Sequence, residues 1–220
     1  MRREIIQTLD GSTTIRLPDW EEHYHSKHGA IQEAKHVFIK NGFSQLYKDQ
    51  IAILEIGFGT GLNAFITFLE AKKAGTKVNY TGVEAYPVSI EEVRQMNYTV
   101  QLQAEEFDLA FQNMHVAEWN KPIAISSQFC LTKRQQFFDE ISDIEQFDLI
   151  YFDAFGYRVQ PELWSTAIFQ RMYNALKPKG VLVTYAARGV VKRSMVEVGF
   201  QVEKLEGPPG KREMFRATKK

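Results

Sequence analysis

Three sets of residues in this chain have the types and spacing to do chemistry. The first is Ile51-Ala-Ile-Leu-Glu-Ile-Gly-Phe-Gly-Thr-Gly-Leu-Asn63, an apolar run that ends in Gly57, Gly59 and Gly61. Glycines so spaced let a chain leaving a strand turn sharply and bring its backbone against a ligand. A dinucleotide fingerprint has glycine at its first, third and sixth places. Counted from Gly57 the sixth place is Leu62, so a nicotinamide dinucleotide is disfavoured and another nucleoside-type ligand is expected. The second set is a pair of acids, Glu84 and Asp153, each following a strand-like apolar run. An acid about 25 residues beyond such a turn can accept hydrogen bonds from both ribose hydroxyls. Asp153, at the end of a later strand, faces the same edge. The third set is His23, His25 and His28, which invite a metal. No cysteine or close carboxylate pair accompanies them and no two are four residues apart, so no metal is expected.

These residues need elements to hold them. Val78 to Glu84 reads as a second strand, Phe129 to Thr132 as a third, Phe147 to Phe152 as a fourth and Val181 to Tyr185 as a fifth. Helical spacing of apolar residues predicts helices over Ala30 to Asn41, Leu62 to Ala74, Pro161 to Leu176 and Val190 to Val198, and Ser89 to Glu92 has the form of a capping box. Asn97 to Pro122 reads as helical in part. Phe200 to Glu206 and Glu213 to Thr218 read as two strands joined by Gly207 to Arg212, and with no helix between them they should pair antiparallel. Ahead of the first central strand, Glu4 to Leu17 reads as a hairpin turning at Asp10-Gly11, and Leu17 to Gly29 as a polar, aromatic loop lying over something. The expected division is an N-terminal extension of hairpin, loop and helix over 1–45, packed on a catalytic domain over 46–220.

Composition narrows the classes. With 44% hydrophobic and 25% charged residues in 220, the chain can bury one sizeable core. Its apolar runs fall short of the roughly 20 residues that span a bilayer, so no membrane partner is expected. The start lacks a signal-peptide core. The single Cys130 can make no internal disulfide and reads as a buried, inert thiol, which suits a reducing, cytoplasmic compartment. Net charge is zero, yet Arg188 to Lys220 holds nine Lys or Arg against four acids, while Glu84 to Asp153 holds thirteen acids against four basic residues. The C-terminal part is therefore the candidate anion-facing side.

Alternating strands and helices, a glycine turn after the first central strand, an acid after the second and an antiparallel last strand describe the Rossmann-like fold of adenosylmethionine-dependent methyltransferases, an α/β fold with a mostly parallel seven-stranded sheet. Beyond that, the chain resembles the MnmC-type tRNA methyltransferase family in the form lacking an oxidase domain. The resemblance is carried by Tyr24-His-Ser-Lys-His-Gly-Ala30 with Glu33 and Val37-Phe38, by Glu55 to Asn63, by Asp153-Ala-Phe155, by Pro161-Glu-Leu-Trp164 and by Gly207-Pro-Pro-Gly-Lys-Arg-Glu-Met214. It implies transfer of a methyl group from S-adenosylmethionine to the aminomethyl group on carbon five of the tRNA wobble uridine. Other readings are a small-amine methyltransferase or aminopropyl transferase of the same fold, or an inactive adenosylmethionine-binding protein.

On this reading the cofactor contacts come from Glu55, Gly57, Phe58, Gly59, Thr60, Gly61, Asn63, Glu84 and Asp153. Asp153 is also the catalytic candidate, because an alkylammonium must lose a proton before it can attack and a carboxylate can take it. Tyr24, Phe155, Tyr157 and Tyr185 are candidates to stack on a base drawn out of the anticodon loop. Lys192, Arg193, Lys211 and Arg212 are candidates for its phosphates. Where the family places an acid suited to the adenine amino group, this chain has Lys133-Arg-Gln-Gln-Phe137, and Gln135 or Gln136 is expected to accept that hydrogen bond. Gly156 to Gln160 also departs from the family's usual segment and reshapes the expected substrate pocket.

Overall fold

Strand side chains alternate between the two faces of a sheet, and in the central strands here both sets are apolar, so both faces must be covered. The computed structural model, which describes residues 2–220, shows this arrangement. In chain order the strands are β1 (Glu4–Gln7), β2 (Thr13–Leu17), β3 (Glu22–His23), β4 (Gln50–Ile56), β5 (Lys77–Val83), β6 (Pro122–Ser126), β7 (Phe129–Arg134), β8 (Phe147–Phe152), β9 (Leu176–Thr184), β10 (Gln201–Glu206) and β11 (Glu213–Thr218). The helices are α1 (Ala30–Ala34), α2 (Leu62–Ala74), α3 (Ile90–Val93), α4 (Tyr98–Gln101), α5 (Asp108–Val116), α6 (Thr166–Ala175) and α7 (Gly189–Glu197).

The main sheet has the order β10-β11-β9-β8-β4-β5-β7-β6. Strands β9, β8, β4, β5 and β7 run parallel, while β11 lies antiparallel between β10 and β9. The sheet thus carries eight strands where seven are expected. The extra one, β6, pairs antiparallel with β7 at the edge. Chain order grows outward from β4 through β5 to β7, then returns to β8 and β9 on β4's other side. The switch point therefore lies between β4 and β8, and the crevice at their carboxyl ends is where open α/β sheets hold ligands.

Period two divides the core. Ile51, Ile53, Leu149 and Tyr151 face a cluster with α1, α2 and α5, while Leu54, Ile56, Ile150 and Phe152 face a second cluster with α6 and α7. The first cluster also takes in Ile15, Leu17, Val37 and Phe38, so the N-terminal extension shares the core of the sheet it packs on. That extension is a three-stranded sheet, β1-β2-β3, in place of a two-stranded hairpin. The helix expected over Ala30 to Asn41 continues past α1 as a π-helical turn, Lys35–Lys40. Among the described residues no helix is long and apolar enough to cross a membrane.

Candidate functional site

At the switch point lies a cleft of about 1450 Å³. Its floor is the turn after β4, and Gly57 shows why that turn needs glycine: φ is +92°, and a Cβ there would stand 2.7 Å from the Asp153 carbonyl oxygen. The turn is packed directly on the backbone that follows β8. Glu84, just past β5, is fixed by two main-chain donors, Gly59 N–H at 3.1 Å to one oxygen and Tyr86 N–H at 2.9 Å to the other. A carboxylate has about four acceptor positions, so two backbone contacts leave it able to receive a diol.

Asn63, in the first turn of α2, joins the acids beneath the turn. Its Nδ2 donates to Asp153 Oδ2 at 2.8 Å and to Glu55 Oε1 at 2.9 Å. Burial pushes the Glu55 carboxyl well above its usual range; the Asn63 hydrogen bond opposes that shift and the Asp153 charge adds to it. Asp153, which lines the cleft, is raised to about 7. Burial is the main cause, the Glu33 charge adds, and the Asn63 hydrogen bond and the Lys211 charge oppose. A carboxyl poised near neutrality can exchange a proton with a bound amine.

An aromatic wall closes on the turn, with the Tyr24 ring so near Gly59 that a Cβ there would stand 3.1 Å from it. The Phe155 ring meets Tyr24 edge-on at 5.1 Å and Trp20 edge-on at 5.8 Å between centroids. Trp20 and Tyr24 come from the loop over Leu17 to Gly29, so what that loop lies over is the cleft. His25 lines the cleft as well; its Nδ1 pairs with Thr14 Oγ1 at 2.9 Å, and burial lowers it to about 4, so it is neutral. Arg3 latches the extension to the segment after Glu84 by donating to the Tyr86 carbonyl at 2.8 Å, the Pro87 carbonyl at 3.2 Å and Glu92 at 3.1 Å.

Of the residues singled out in the sequence, Tyr24, Gly57, Phe58, Gly59, Asn63, Glu84, Gln135, Asp153 and Phe155 line this cleft together. Glu55 lies beneath it, 1% exposed. The Thr60 hydroxyl is turned away to Tyr98 at 2.8 Å, and Gly61 faces the His115 ring. Tyr157, Tyr185, Lys192, Arg193, Lys211 and Arg212 stand outside the cleft wall. The Arg188 guanidinium lies 5.7 Å from the Tyr157 ring. Tyr185 donates its hydroxyl to the Ala154 carbonyl at 2.8 Å and carries the Lys211 ammonium 3.7 Å from its ring centre. Trp20, Arg3, Phe137 and Asp139 line the cleft without having been singled out for a role there. Trp20 is signalled only by its aromatic loop, and nothing in the local pattern marks Arg3. The three histidines separate: His23 pairs with Arg16 across β3 and β2, His25 bonds Thr14, and His28 packs at Gly210.

The residues fit S-adenosylmethionine. Asn63 borders the cleft and its buried Oδ1 is an acceptor with no partner, while Glu84 is held ready for hydroxyls and Gln135 lines the same cleft.

Comparison with known proteins identifies the family and the fold. A family model described as S-adenosyl-L-methionine-dependent methyltransferase matches residues 91–220. The bifunctional protein MnmC of tRNA 5-methylaminomethyl-2-thiouridine biosynthesis from Cupriavidus necator is 30% identical over 91% of this chain and 32% of its own length. Its counterpart from Delftia acidovorans is 30% identical over 91% of this chain and 33% of its own. The chain thus spans about a third of the length of these curated relatives. Among solved structures, MNMC2 from Aquifex aeolicus superposes with a TM-score of 0.80 at 24% identity, covering 100% of this chain and 70% of that one. A spermidine synthase from Thermotoga maritima superposes at 0.55 with 14% identity over 100% and 73%. Both superpositions speak to the fold.

Proposed function

The chain belongs to the S-adenosyl-L-methionine-dependent methyltransferase family, and from that premise we propose that it methylates the aminomethyl group on carbon five of the wobble uridine in tRNA. The observation that carries the reading is Asp153, poised near neutrality at the switch-point edge, in one cleft with the glycine turn and an aromatic wall.

S-adenosylmethionine supplies an activated methyl group on a sulfonium. Gly57, Gly59 and Asn63 would hold its amino-acid end, Glu84 its ribose, and Gln135 its adenine. What the protein has to add is position and a proton acceptor. An alkylammonium is protonated at neutral pH and carries no lone pair for attack. Asp153 takes that proton at Oδ1 or Oδ2, and Asn63 holds the carboxylate toward the cleft while it does so. Glu55, kept neutral by burial, adds no second charge beneath it. Phe155 and Tyr24, packed edge-on against each other, would offer their free faces to the uracil ring once it has left the anticodon stack. Lys192, Arg193 and Arg212 would meet the anticodon-loop phosphates.

The test is methyl incorporation from labelled S-adenosylmethionine into tRNA carrying 5-aminomethyluridine, set against fully modified tRNA. Transfer to the first and none to the second is expected. Cofactor binding without transfer to either would indicate an inactive binding protein, and transfer only to small free amines would replace tRNA as the substrate.

A further inference from the structure

As a sequence, Lys211 reads as one of several surface cations waiting for phosphate. Its surroundings say otherwise. The Lys211 ammonium contacts Glu33 Oε1, and the other Glu33 oxygen accepts from the Ser26 N–H at 2.8 Å. The Glu33 side chain is only 8% exposed, and the ammonium and the Ser26 N–H each meet one of its oxygens. The same ammonium stands 3.7 Å from the centre of the Tyr185 ring, and Tyr185 donates to the carbonyl of Ala154, the residue after Asp153. A continuous set of contacts thus runs from Ser26 through Glu33, Lys211 and Tyr185 to the backbone of Ala154, the neighbour of the catalytic candidate.

The loop that presents Lys211 is built to stay there. Its ends close through Gly207 N–H to the Arg212 carbonyl at 3.2 Å, and Lys211 N–H donates to the Pro208 carbonyl at 2.9 Å. Gly210, at φ +83°, lies so close to the His28 ring that a Cβ would stand 2.2 Å from it, and His36 holds the Glu206 carbonyl at 2.8 Å. Residues 178 positions apart are brought together on purpose-built backbone.

We propose that Lys211 and Glu33 are a positioning pair for Asp153, setting that carboxylate to receive the amine's proton, and that Lys211 is not a contact for tRNA phosphate. The proposal rests on the functional reading above. Around Asp153 stand Glu55 from β4, Asn63 from α2, Tyr80 from β5, Tyr185 beyond β9, Glu33 from α1 and Lys211 from the β10–β11 loop. Asn63 is uncharged, and burial keeps Glu55 and both phenols in their neutral forms, so the charges that act on Asp153 are those of Glu33 and Lys211, opposite in sign. Balanced against each other, they leave the carboxyl near neutrality. Unbalanced, they move it in opposite directions.

The experiment is the pH profile of kcat/KM for methyl transfer by Lys211→Met, Glu33→Gln and the double variant. Lys211→Met leaves the Glu33 charge alone beside Asp153 and moves the acidic limb about one unit to higher pH; Glu33→Gln leaves the ammonium alone and moves it about one unit lower. The double variant returns the limb close to wild type. Cofactor affinity and the salt dependence of tRNA binding stay within a few-fold of wild type in all three. Unmoved limbs, or movement in the same direction for both single variants, overturn the proposal. So does a fall in the salt slope of tRNA binding by about one in Lys211→Met, which marks a phosphate contact.

Should Lys211→Met not fold, Lys211→Arg keeps the charge and must keep the limb in place, and Glu33→Gln carries the opposite arm. If the wild type transfers no methyl to tRNA, the functional reading falls, and the pair is judged by the Asp153 carboxyl titration followed by carbon NMR. Opposite displacements in the two single variants support it, and coincident curves overturn it.

Discussion

The side-chain amide of Asn63 donates to Asp153 Oδ2 at 2.8 Å, and its second proton goes to Glu55 at 2.9 Å, so a single group bridges two carboxyls under the glycine turn. Only an uncharged donor with two protons does this without adding charge. Asn63→Ala removes the bridge and raises Asp153 further, since the hydrogen bond is one of the two influences that lower it. A hydrogen bond to a charged group contributes about 1.5–3 kcal/mol, so kcat at neutral pH should fall roughly 10- to 100-fold. Steady-state kinetics beside calorimetric cofactor binding checks this, and an unchanged kcat would remove Asn63 from the positioning of the base.

Gly57 carries a prediction about stability. Its φ of +92° lies where L side chains rarely go, and an added Cβ would meet the Asp153 carbonyl at 2.7 Å, against backbone that cannot swing aside. Gly57→Ala should cost about 1–3 kcal/mol in urea unfolding and weaken cofactor binding, because relief requires the turn and the β8 end to part. A variant with the wild-type urea midpoint would show that the turn yields freely.

Much of this fold is legible in the sequence where one physical demand acts alone. Strands β4 and β8 are buried on both faces and written mainly in apolar residues, interrupted by Glu55 in the one and Asp148 in the other, and the Ser89–Glu92 capping box forms as its spacing requires. Strand β6 is not legible. It is an edge strand that begins with Pro122 and alternates between exposed and half-buried residues, so neither periodicity nor composition separates it from a loop. The two-residue β3 exists only by pairing with β2. At the site the same division holds. Glu84 and Asp153 announce themselves because each ends an apolar strand, whereas Trp20, Arg3 and the Glu33–Lys211 pair acquire their places through contacts far along the chain.

Asp153 also makes folding depend on pH. Its folded value of about 7 lies above the ordinary carboxyl value of 3.8, so between the two the native state holds a proton that the unfolded chain has released. Stability therefore falls as pH rises through that window, and the loss is complete above about 7. Asp153→Asn escapes it: the variant should be nearly as stable as wild type at pH 4 and more stable at pH 8, by at most about 4 kcal/mol. Methyl transfer should meanwhile drop at least 100-fold, with cofactor affinity held within a few-fold. In the wild type the rate should climb with pH through about 7, because the deprotonated carboxyl is the acceptor. Denaturant melts at the two pH values and a pH–rate profile test both halves, and near-normal turnover by the variant would rule out the role given to Asp153.

The basic residues at the carboxyl edge of the sheet should govern tRNA binding and leave the chemical step alone. Helix α7 begins just beyond the carboxyl end of β9, placing Lys192 and Arg193 at the edge that holds the cleft. Strand β11 runs antiparallel with Phe215 opposite Thr184, so Arg212 ahead of it lies at that edge too. Arg193 and Arg212 are exposed, and none of the three makes an ion pair among the described residues. Their charges are available to phosphate as that of Lys211, engaged with Glu33, is not. Each of Lys192→Ala, Arg193→Ala and Arg212→Ala should weaken tRNA binding at low salt and reduce the slope of log affinity against log salt by about 0.7 to 0.9 for each phosphate no longer neutralised. At saturating tRNA, kcat should stay within a few-fold, since these side chains stand outside the cleft wall. Filter binding across a salt series, paired with saturating kinetics, separates the two quantities. A slope unchanged in all three variants would move the tRNA surface away from this edge.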